Sequence, residues 1–174
     1  MRNFSILLFP FLLSSQEILI KPYLQNTTTN SICIMWEINQ NKGKHVEWGE
    51  TEELGNITNA ISEVSQSGNY ILNSNITNLS ANTQYYYRAV NEDSTSDLYN
   101  FYTNNNTSSE SQTNIITMSD MQIDGSFPNK FYKVVHSGIL NYIESEFDNN
   151  INEHVDLILT PGDLVENGLN YEQW

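Results

Sequence analysis

The sequence predicts a multidomain chain in which an all-β sandwich is followed by an incomplete α/β domain. Three observations support this prediction. Residues 18–103 contain short strand-like segments separated by polar turns, without a convincing helical period. Residues 104–113 are free of apolar side chains and indicate an interdomain linker. From residue 114 to residue 174 the pattern changes to strand, helix and strand, which favours a parallel α/β arrangement.

The N-terminal residues 1–15 have the layout of a secretory signal peptide. Arg2 gives a basic start, residues 4–13 are almost wholly apolar, and Ser14 and Ser15 supply small residues. This apolar segment is too short to span a bilayer, although a buried N-terminal strand or helix would give a similar pattern. We therefore expect a secreted or periplasmic protein that has no membrane association once the signal is cleaved.

Charge limits the classes of partner. The chain of 174 residues has 21 acidic and 7 basic residues and a formal net charge of -14. Binding to nucleic acid depends largely on Lys and Arg contacts to phosphates, so this composition argues against a nucleic-acid partner and against an anionic membrane surface. Cys33 is the only cysteine, and its apolar surroundings predict a buried, inert thiol.

Six strands are expected in the sandwich, each rich in β-branched and aromatic residues. They cover residues 18–24, 31–37, 44–49, 70–76, 84–90 and 97–102. Trp36 in the second strand is expected to point inward as a large core residue. The segment Leu79 to Arg88, with three consecutive tyrosines, is typical of a tyrosine corner. We expect these tyrosines to pack alternately in and out, and not to form an aromatic binding platform.

Three short segments carry a resemblance to a known family. They are Pro-Tyr-Leu-Gln at 22–25, Ile-Met-Trp at 34–36 and Val-Glu-Trp-Gly at 46–49. With them, residues 18–103 resemble a fibronectin type III-like domain and, more narrowly, the N-terminal domain of purple acid phosphatases. The resemblance implies a β-sandwich that precedes a catalytic domain.

Two apolar segments in the last third of the chain end in aspartates. Residues 114–122 form one expected strand, which ends in Ser119-Asp120, and residues 155–163 form another, which ends in Gly162-Asp163. A helix is expected between them, starting at Pro128 and ending at residues 148–150. Its apolar face comprises Phe131, Val135, Ile139, Tyr142, Ile143 and Phe147. A right-handed crossover would then bring both aspartates to the same edge of a parallel sheet.

This edge is where open α/β sheets bind their ligands. Two metal ions held by aspartates there could bind phosphate oxygens and lower the pKa of a water molecule. A glycine before Asp163 would allow a tight turn. An aspartate at a strand end also serves as a turn former or a helix N-cap, so residue type alone does not define the site.

The segments Ser119 to Gln122 and Pro161 to Asp163 resemble the first two motifs of calcineurin-like metallophosphoesterases. The resemblance implies that Asp120 binds one metal ion and that Asp163 bridges two, with Fe, Zn or Mn as the metals. Gln122 stands where many members have histidine, and its amide oxygen could coordinate in place of the imidazole. Glu166 stands where purple acid phosphatases carry a tyrosine, so no iron–tyrosinate centre is predicted.

The resemblance also implies histidine ligands and catalytic residues, which we expect beyond Trp174. His45, His136 and His154 are not expected at the site, since they lie in the sandwich, on the crossover helix and before the second strand. Each is interpreted as a surface or packing histidine.

These observations favour an exported metal-dependent phosphohydrolase that acts on phosphate esters, of which this chain is the N-terminal part. A non-catalytic secreted binding protein with a degenerate phosphoesterase segment is the alternative, supported by the missing histidines. A doubly wound nucleotide-binding fold is a weaker alternative. Under any catalytic interpretation, one strand–helix–strand unit leaves open sheet edges and an unburied apolar face.

Overall fold

A computed structural model describes residues 17–65, 67–106, 108, 112–122, 128–147 and 154–169. The predicted signal peptide, residues 1–15, lies outside these residues. The chain divides into two compact units, Met1–Asn106 and Thr107–Trp174. Within the described ranges, no helix has the length and apolar character needed to cross a bilayer.

The described residues of the first unit form eight strands in two four-stranded antiparallel sheets. The strands are β1 (Ile18–Gln25), β2 (Ser31–Ile38), β3 (His45–Gly49), β4 (Asn56–Asn59), β5 (Ile61–Val64), β6 (Tyr70–Thr77), β7 (Gln84–Val90) and β8 (Tyr99–Tyr102). One sheet has the order β1-β2-β6-β5 and the other the order β4-β3-β7-β8. The predicted all-β fold of this part of the chain is therefore confirmed.

The core of the sandwich follows from the alternation of side chains along the strands. In β2, Ile32, Ile34, Trp36 and Ile38 are all buried and belong to the same apolar cluster. Trp36 is fully buried, as predicted, and its indole N–H donates a hydrogen bond of 3.1 Å to Oδ1 of Asn91. A buried tryptophan needs such an acceptor for its only polar group.

Two strands were not predicted from the sequence. β4 and β5 are four residues each, lie at the edges of opposite sheets, and are joined through the buried Ala60. Their apolar residues Ile57, Ile61 and Val64 are more than half exposed. Edge strands bury few side chains, so their sequences carry little of the apolar pattern on which the prediction depended.

The predicted tyrosine corner is present. The hydroxyl of Tyr85 accepts a hydrogen bond of 3.0 Å from the backbone N–H of Ser80. The Tyr85 ring stacks on Phe101, with 5.6 Å between ring centroids. Tyr85 and Tyr87 are buried whereas Tyr86 is half-buried, so the tyrosines pack alternately as expected.

Cys33 lies on the outward side of β2 and is nevertheless buried. Its thiol donates to Oδ1 of Asn73 at 3.3 Å. Burial raises the pKa of the Cys33 thiol, since the thiolate would lose hydration. A neutral thiol is a poor nucleophile, which confirms the interpretation of Cys33 as a packing residue.

In the described part of the second unit there are two parallel strands, with a helical segment between them in sequence. β9 (Ile115–Thr117) pairs in parallel with β10 (Leu157–Leu159). The helical segment consists of α1 (Lys130–Tyr132), a π-helical region (Lys133–Leu140) and α2 (Asn141–Glu146). The parallel pairing matches the expectation, but each strand has only three paired residues and the helix begins two residues after Pro128.

The predicted apolar face of this helix is only partly buried. Ile143 is buried, whereas Phe131, Tyr142 and Phe147 are at least half exposed. The π-helical region changes the angular step between residues, so an apolar pattern at α-helical spacing no longer lies along one line. A cavity of about 680 Å³ is lined by β9 residues such as Ile116 and by residues of the helical segment.

Candidate functional site

The two predicted aspartates occupy the turns that follow the parallel strands. Asp120 comes after β9 with φ 58°, and Asp163 comes after β10 with φ 53°. This left-handed backbone conformation ends a strand, and aspartate adopts it more readily than most other residues with a side chain. Gly162 before Asp163 has φ 155°, with open space where a Cβ would lie. The sequence Gly-Asp is therefore suited to this turn.

Three hydrogen bonds hold the two turns side by side beyond the paired strands. The N–H of Met118 donates to the carbonyl oxygen of Leu159 at 3.0 Å. The hydroxyl of Ser119 donates to the carbonyl of Gly162 at 3.2 Å, and the N–H of Gln122 donates to the carbonyl of Asp163 at 3.2 Å. The segments that carry Asp120 and Asp163 are thus neighbours at one end of the sheet.

The backbone of Gln122 is bonded to Asp163, and the side-chain oxygen of Gln122 is a buried hydrogen-bond acceptor. Its side chain is half-buried, its Oε1 atom is inaccessible to solvent, and this oxygen has no hydrogen-bond partner within the described part of the chain. The preceding Met121 is buried, which limits how far the segment can move outward. An unsatisfied buried acceptor costs about 1–3 kcal/mol. A ligand that accepts electron density from this oxygen would recover that cost.

The candidate donor atoms after the two strands are side-chain oxygens. Asp120 and Asp163 are exposed, so their carboxylates are accessible to a cation from solvent. In the ranges that the structure describes, no group of three or more His, Cys, Asp and Glu residues is placed to hold a metal. Carboxylate and amide oxygens are the type of donor that hard cations prefer, and metal binding by Asp120, Asp163 and Gln122 stays a prediction.

The histidines in the described residues make ring or charge contacts. His136 stacks on Tyr132 with 4.7 Å between ring centroids, and His154 stacks on Phe147 at the same distance. His154 precedes β10 and Asp163 follows it, so the two occupy opposite ends of that strand. Nε2 of His45 lies 3.8 Å from a carboxylate oxygen of Glu47 in the sandwich. These placements agree with packing and surface roles.

Ser119 has a role that sequence reasoning did not identify. Its hydroxyl bonds the turn of Gly162 and so links the two aspartate-bearing segments. The feature of the sequence that could have indicated this role is the Ser-Asp pair, because a serine before a turn often forms a hydrogen bond to nearby backbone.

One protein family matches the N-terminal unit. Residues 20–103 match the family model "Purple acid Phosphatase, N-terminal domain". The match covers a little under half of the chain and ends before the second unit begins. This match supports the resemblance of the sandwich to that domain, which three short segments of the sequence had suggested.

Two of the solved structures that are similar to the chain are a bacterial sensor domain and PhoD. The sensor domain of the anti-sigma factor RsgI4 from Pseudobacteroides cellulosolvens is 17% identical with a TM-score of 0.42, and the similarity covers 55% of this chain and 98% of that one. PhoD is 14% identical with a TM-score of 0.45, covering 59% of this chain and 22% of PhoD. No curated protein matches the chain.

Proposed function

We propose that the chain is the N-terminal part of an exported metal-dependent phosphohydrolase acting on phosphate esters. The observation that carries the proposal is the pair of aspartate turns held side by side after two parallel strands. Gln122 lies in the first of these segments, and its buried Oε1 has no hydrogen-bond partner among the described residues. The family match of residues 20–103 supports the same assignment, since it connects the sandwich to phosphatases. Residues 1–15 would direct export, residues 104–113 would be the linker, and residues 114–174 would begin the catalytic domain.

The residues of the two turns have distinct roles in this proposal. Asp120 and Gln122 would hold one metal ion, and Asp163 would bridge two. Ser119 would position the turns relative to each other through its hydrogen bond to Gly162. Two ions of Fe, Zn or Mn would supply charge neutralisation and an activated water for in-line attack on phosphorus. Histidines beyond Trp174 would complete the ligand set and protonate the leaving group.

The negative charge of the chain predicts that a metal ion binds before a phosphate ester. The two exposed carboxylates and the net charge of -14 repel a phosphate ester in the absence of a cation. Phosphate binding should therefore require prior metal binding, and chelation of the metal should abolish it.

Ester hydrolysis tests the proposal. The protein from its natural host, loaded with Mn, Fe or Zn, is assayed with 4-nitrophenyl phosphate and with its diester. We expect hydrolysis that falls by about 10²-fold in Asp120→Asn and in Asp163→Asn. The matched control is Asp156→Asn, because Asp156 precedes β10 and accepts the N–H of Asn114 at 2.7 Å, a bond that asparagine can keep. The proposal is wrong if the metal-loaded protein hydrolyses neither ester.

A further inference from the structure

A cavity of about 410 Å³ lies in the sandwich, beside the turn between β3 and β4. Its apolar lining residues are Trp48, Leu54 and Tyr85. The other lining residues are polar and exposed to solvent, and they are Glu50, Thr51, Asn56, Asn78 and Ser80. Sites for small molecules commonly combine an apolar wall with a few polar groups in this way.

Hydrogen bonds and a ring contact fix the aromatic wall of the cavity. The indole N–H of Trp48 donates to Oγ1 of Thr58 at 2.9 Å, and the Trp48 ring makes an edge contact with Tyr85, with 5.9 Å between ring centroids. The hydroxyl of Tyr85 accepts the N–H of Ser80 and donates to Oε1 of Glu50 at 3.5 Å. A wall that is held in this way loses little conformational entropy when a ligand binds.

The turns that border the cavity are fixed as well. Leu54 and Asn78 both have φ 63°, a left-handed conformation that is costly for leucine and that asparagine adopts more readily. The N–H of Leu54 donates to the carbonyl oxygen of Thr51 at 3.0 Å, and Nδ2 of Asn56 donates to the carbonyl oxygen of Trp48 at 3.3 Å. Strained backbone of this kind is found preferentially at functional sites.

The polar lining residues favour a neutral ligand with many hydroxyl groups. Glu50 is the one charged residue among the described residues that line the cavity, so an anion would meet a carboxylate without a balancing cation. Hydroxyl groups both donate and accept hydrogen bonds, which matches the carboxylate of Glu50 and the amides of Asn56 and Asn78. The C–H face of a sugar ring can pack on an aromatic ring such as that of Trp48.

We propose that this cavity binds a saccharide unit of a neutral glycan. Its volume of about 410 Å³ is near the lower end of the range for ligand sites, which suits about one or two sugar units. The lining residues all belong to the sandwich, so this binding goes beyond the proposed phosphohydrolase activity and does not depend on it.

NMR spectroscopy of the whole chain tests the proposal. The probes are cellotetraose, mannotetraose, xylotetraose and galactotetraose, with tetragalacturonate as the anionic comparison, each added at about 10 mM. We expect at least one neutral sugar to shift the indole N–H signal of Trp48. The signal of Trp36 should stay unchanged, because this residue is fully buried in the core. Tetragalacturonate should shift neither signal.

Two substitutions then test the lining residues with the neutral sugar that binds. Asn78→Gly removes an amide and suits the φ of 63°, and Ser80→Ala removes a hydroxyl. Each should raise the dissociation constant about threefold to tenfold. Asn26→Gly is the matched control, because Asn26 is also exposed and has φ 51° but does not line the cavity, so its dissociation constant should stay unchanged.

Three results would overturn the proposal. The first is that no neutral sugar shifts the Trp48 signal, and the second is that tetragalacturonate alone shifts it. The third is that Asn78→Gly and Ser80→Ala both bind the sugar as tightly as the unsubstituted chain. None of these results bears on ester hydrolysis, so the proposed function is tested separately.

Discussion

Tyr85 makes a hydrogen bond that ties a buried ring to the turn before β7. Its hydroxyl satisfies the backbone N–H of Ser80. In Tyr85→Phe this donor loses its protein partner, so we expect a loss of about 0.5–1.5 kcal/mol in the free energy of unfolding. Urea denaturation measures the change. The control is Tyr86→Phe, which should stay within about 0.5 kcal/mol because Tyr86 faces outward. Equal losses in both variants would contradict the assigned role.

Tyr87 gives a prediction about alkaline pH. Burial raises the pKa of Tyr87 above its ordinary value of 10.0. The folded protein therefore keeps this proton at a pH where the unfolded chain has lost it, so the stabilisation is complete below about pH 10 and is lost as pH rises further. We expect Tyr87→Phe to show a weaker fall in unfolding free energy between about pH 9 and about pH 11.

The exposed Tyr102 provides the comparison for this pH effect. Tyr102→Phe removes the same group from a ring that is 43% exposed. The pH dependence of the unfolding free energy should differ between the two variants only at alkaline pH. An unchanged alkaline slope in Tyr87→Phe would show that this tyrosine is not the group responsible.

At the scale of elements, the turn between β3 and β4 depends on Gly49. A Cβ at this position would lie 2.1 Å from the carbonyl oxygen of Leu54, which is closer than any real contact. Leu54 itself has φ 63°, a conformation that is costly for a bulky side chain. The loop therefore cannot move aside without further strain.

We expect Gly49→Ala to lower the free energy of unfolding of the sandwich by about 1–3 kcal/mol, measured by urea denaturation. Gly138→Ala is the control, because a Cβ there would lie 3.5 Å from the carbonyl oxygen of Lys133, an ordinary contact. A neutral effect of Gly49→Ala would mean that the turn can adopt another conformation.

The elements also show which features a sequence can predict. The inward residues of the long strands β2, β6 and β7 are apolar apart from Ser74, so alternation identified these strands. β4 and β5 escaped prediction because edge strands of four residues need little apolar pattern. The π-helical region was also missed, since its hydrogen bonds depend on local packing that the spacing of apolar residues does not encode.

The candidate site was predictable in part for a similar reason. Glycine and aspartate at strand ends follow from turn chemistry, so Asp120 and Asp163 could be found from the sequence. The unpaired oxygen of Gln122 and the link made by Ser119 could not, because both depend on which backbone segments become neighbours when β9 and β10 pair.

For the whole molecule, the two units differ in how completely they bury their apolar residues. The sandwich encloses a contiguous core. In the second unit all three residues of β10 and several aromatic residues of the helical segment are exposed. A two-stranded sheet with such exposure has little independent stability.

Hydrogen exchange should show a difference in amide protection between the two units. In the whole chain, we expect amides of β2 and β6 to exchange at least about 10²-fold more slowly than those of β9 and β10, because local opening is cheap where few apolar contacts are lost. Residues 114–174 expressed alone should behave as a molten or aggregated segment. Equal protection in both units, or well-dispersed amide signals from the isolated segment, would contradict this prediction.

If Asp120 and Asp163 hold metal ions as proposed, anomalous scattering will locate those ions. Crystals of the chain grown with Mn²⁺ are measured near the manganese absorption edge. We expect an anomalous peak in contact with the carboxylates of Asp120 and Asp163, with the Oε1 atom of Gln122 among its neighbours. Peaks found only elsewhere, or a peak unchanged in Asp120→Asn and Asp163→Asn, would contradict it.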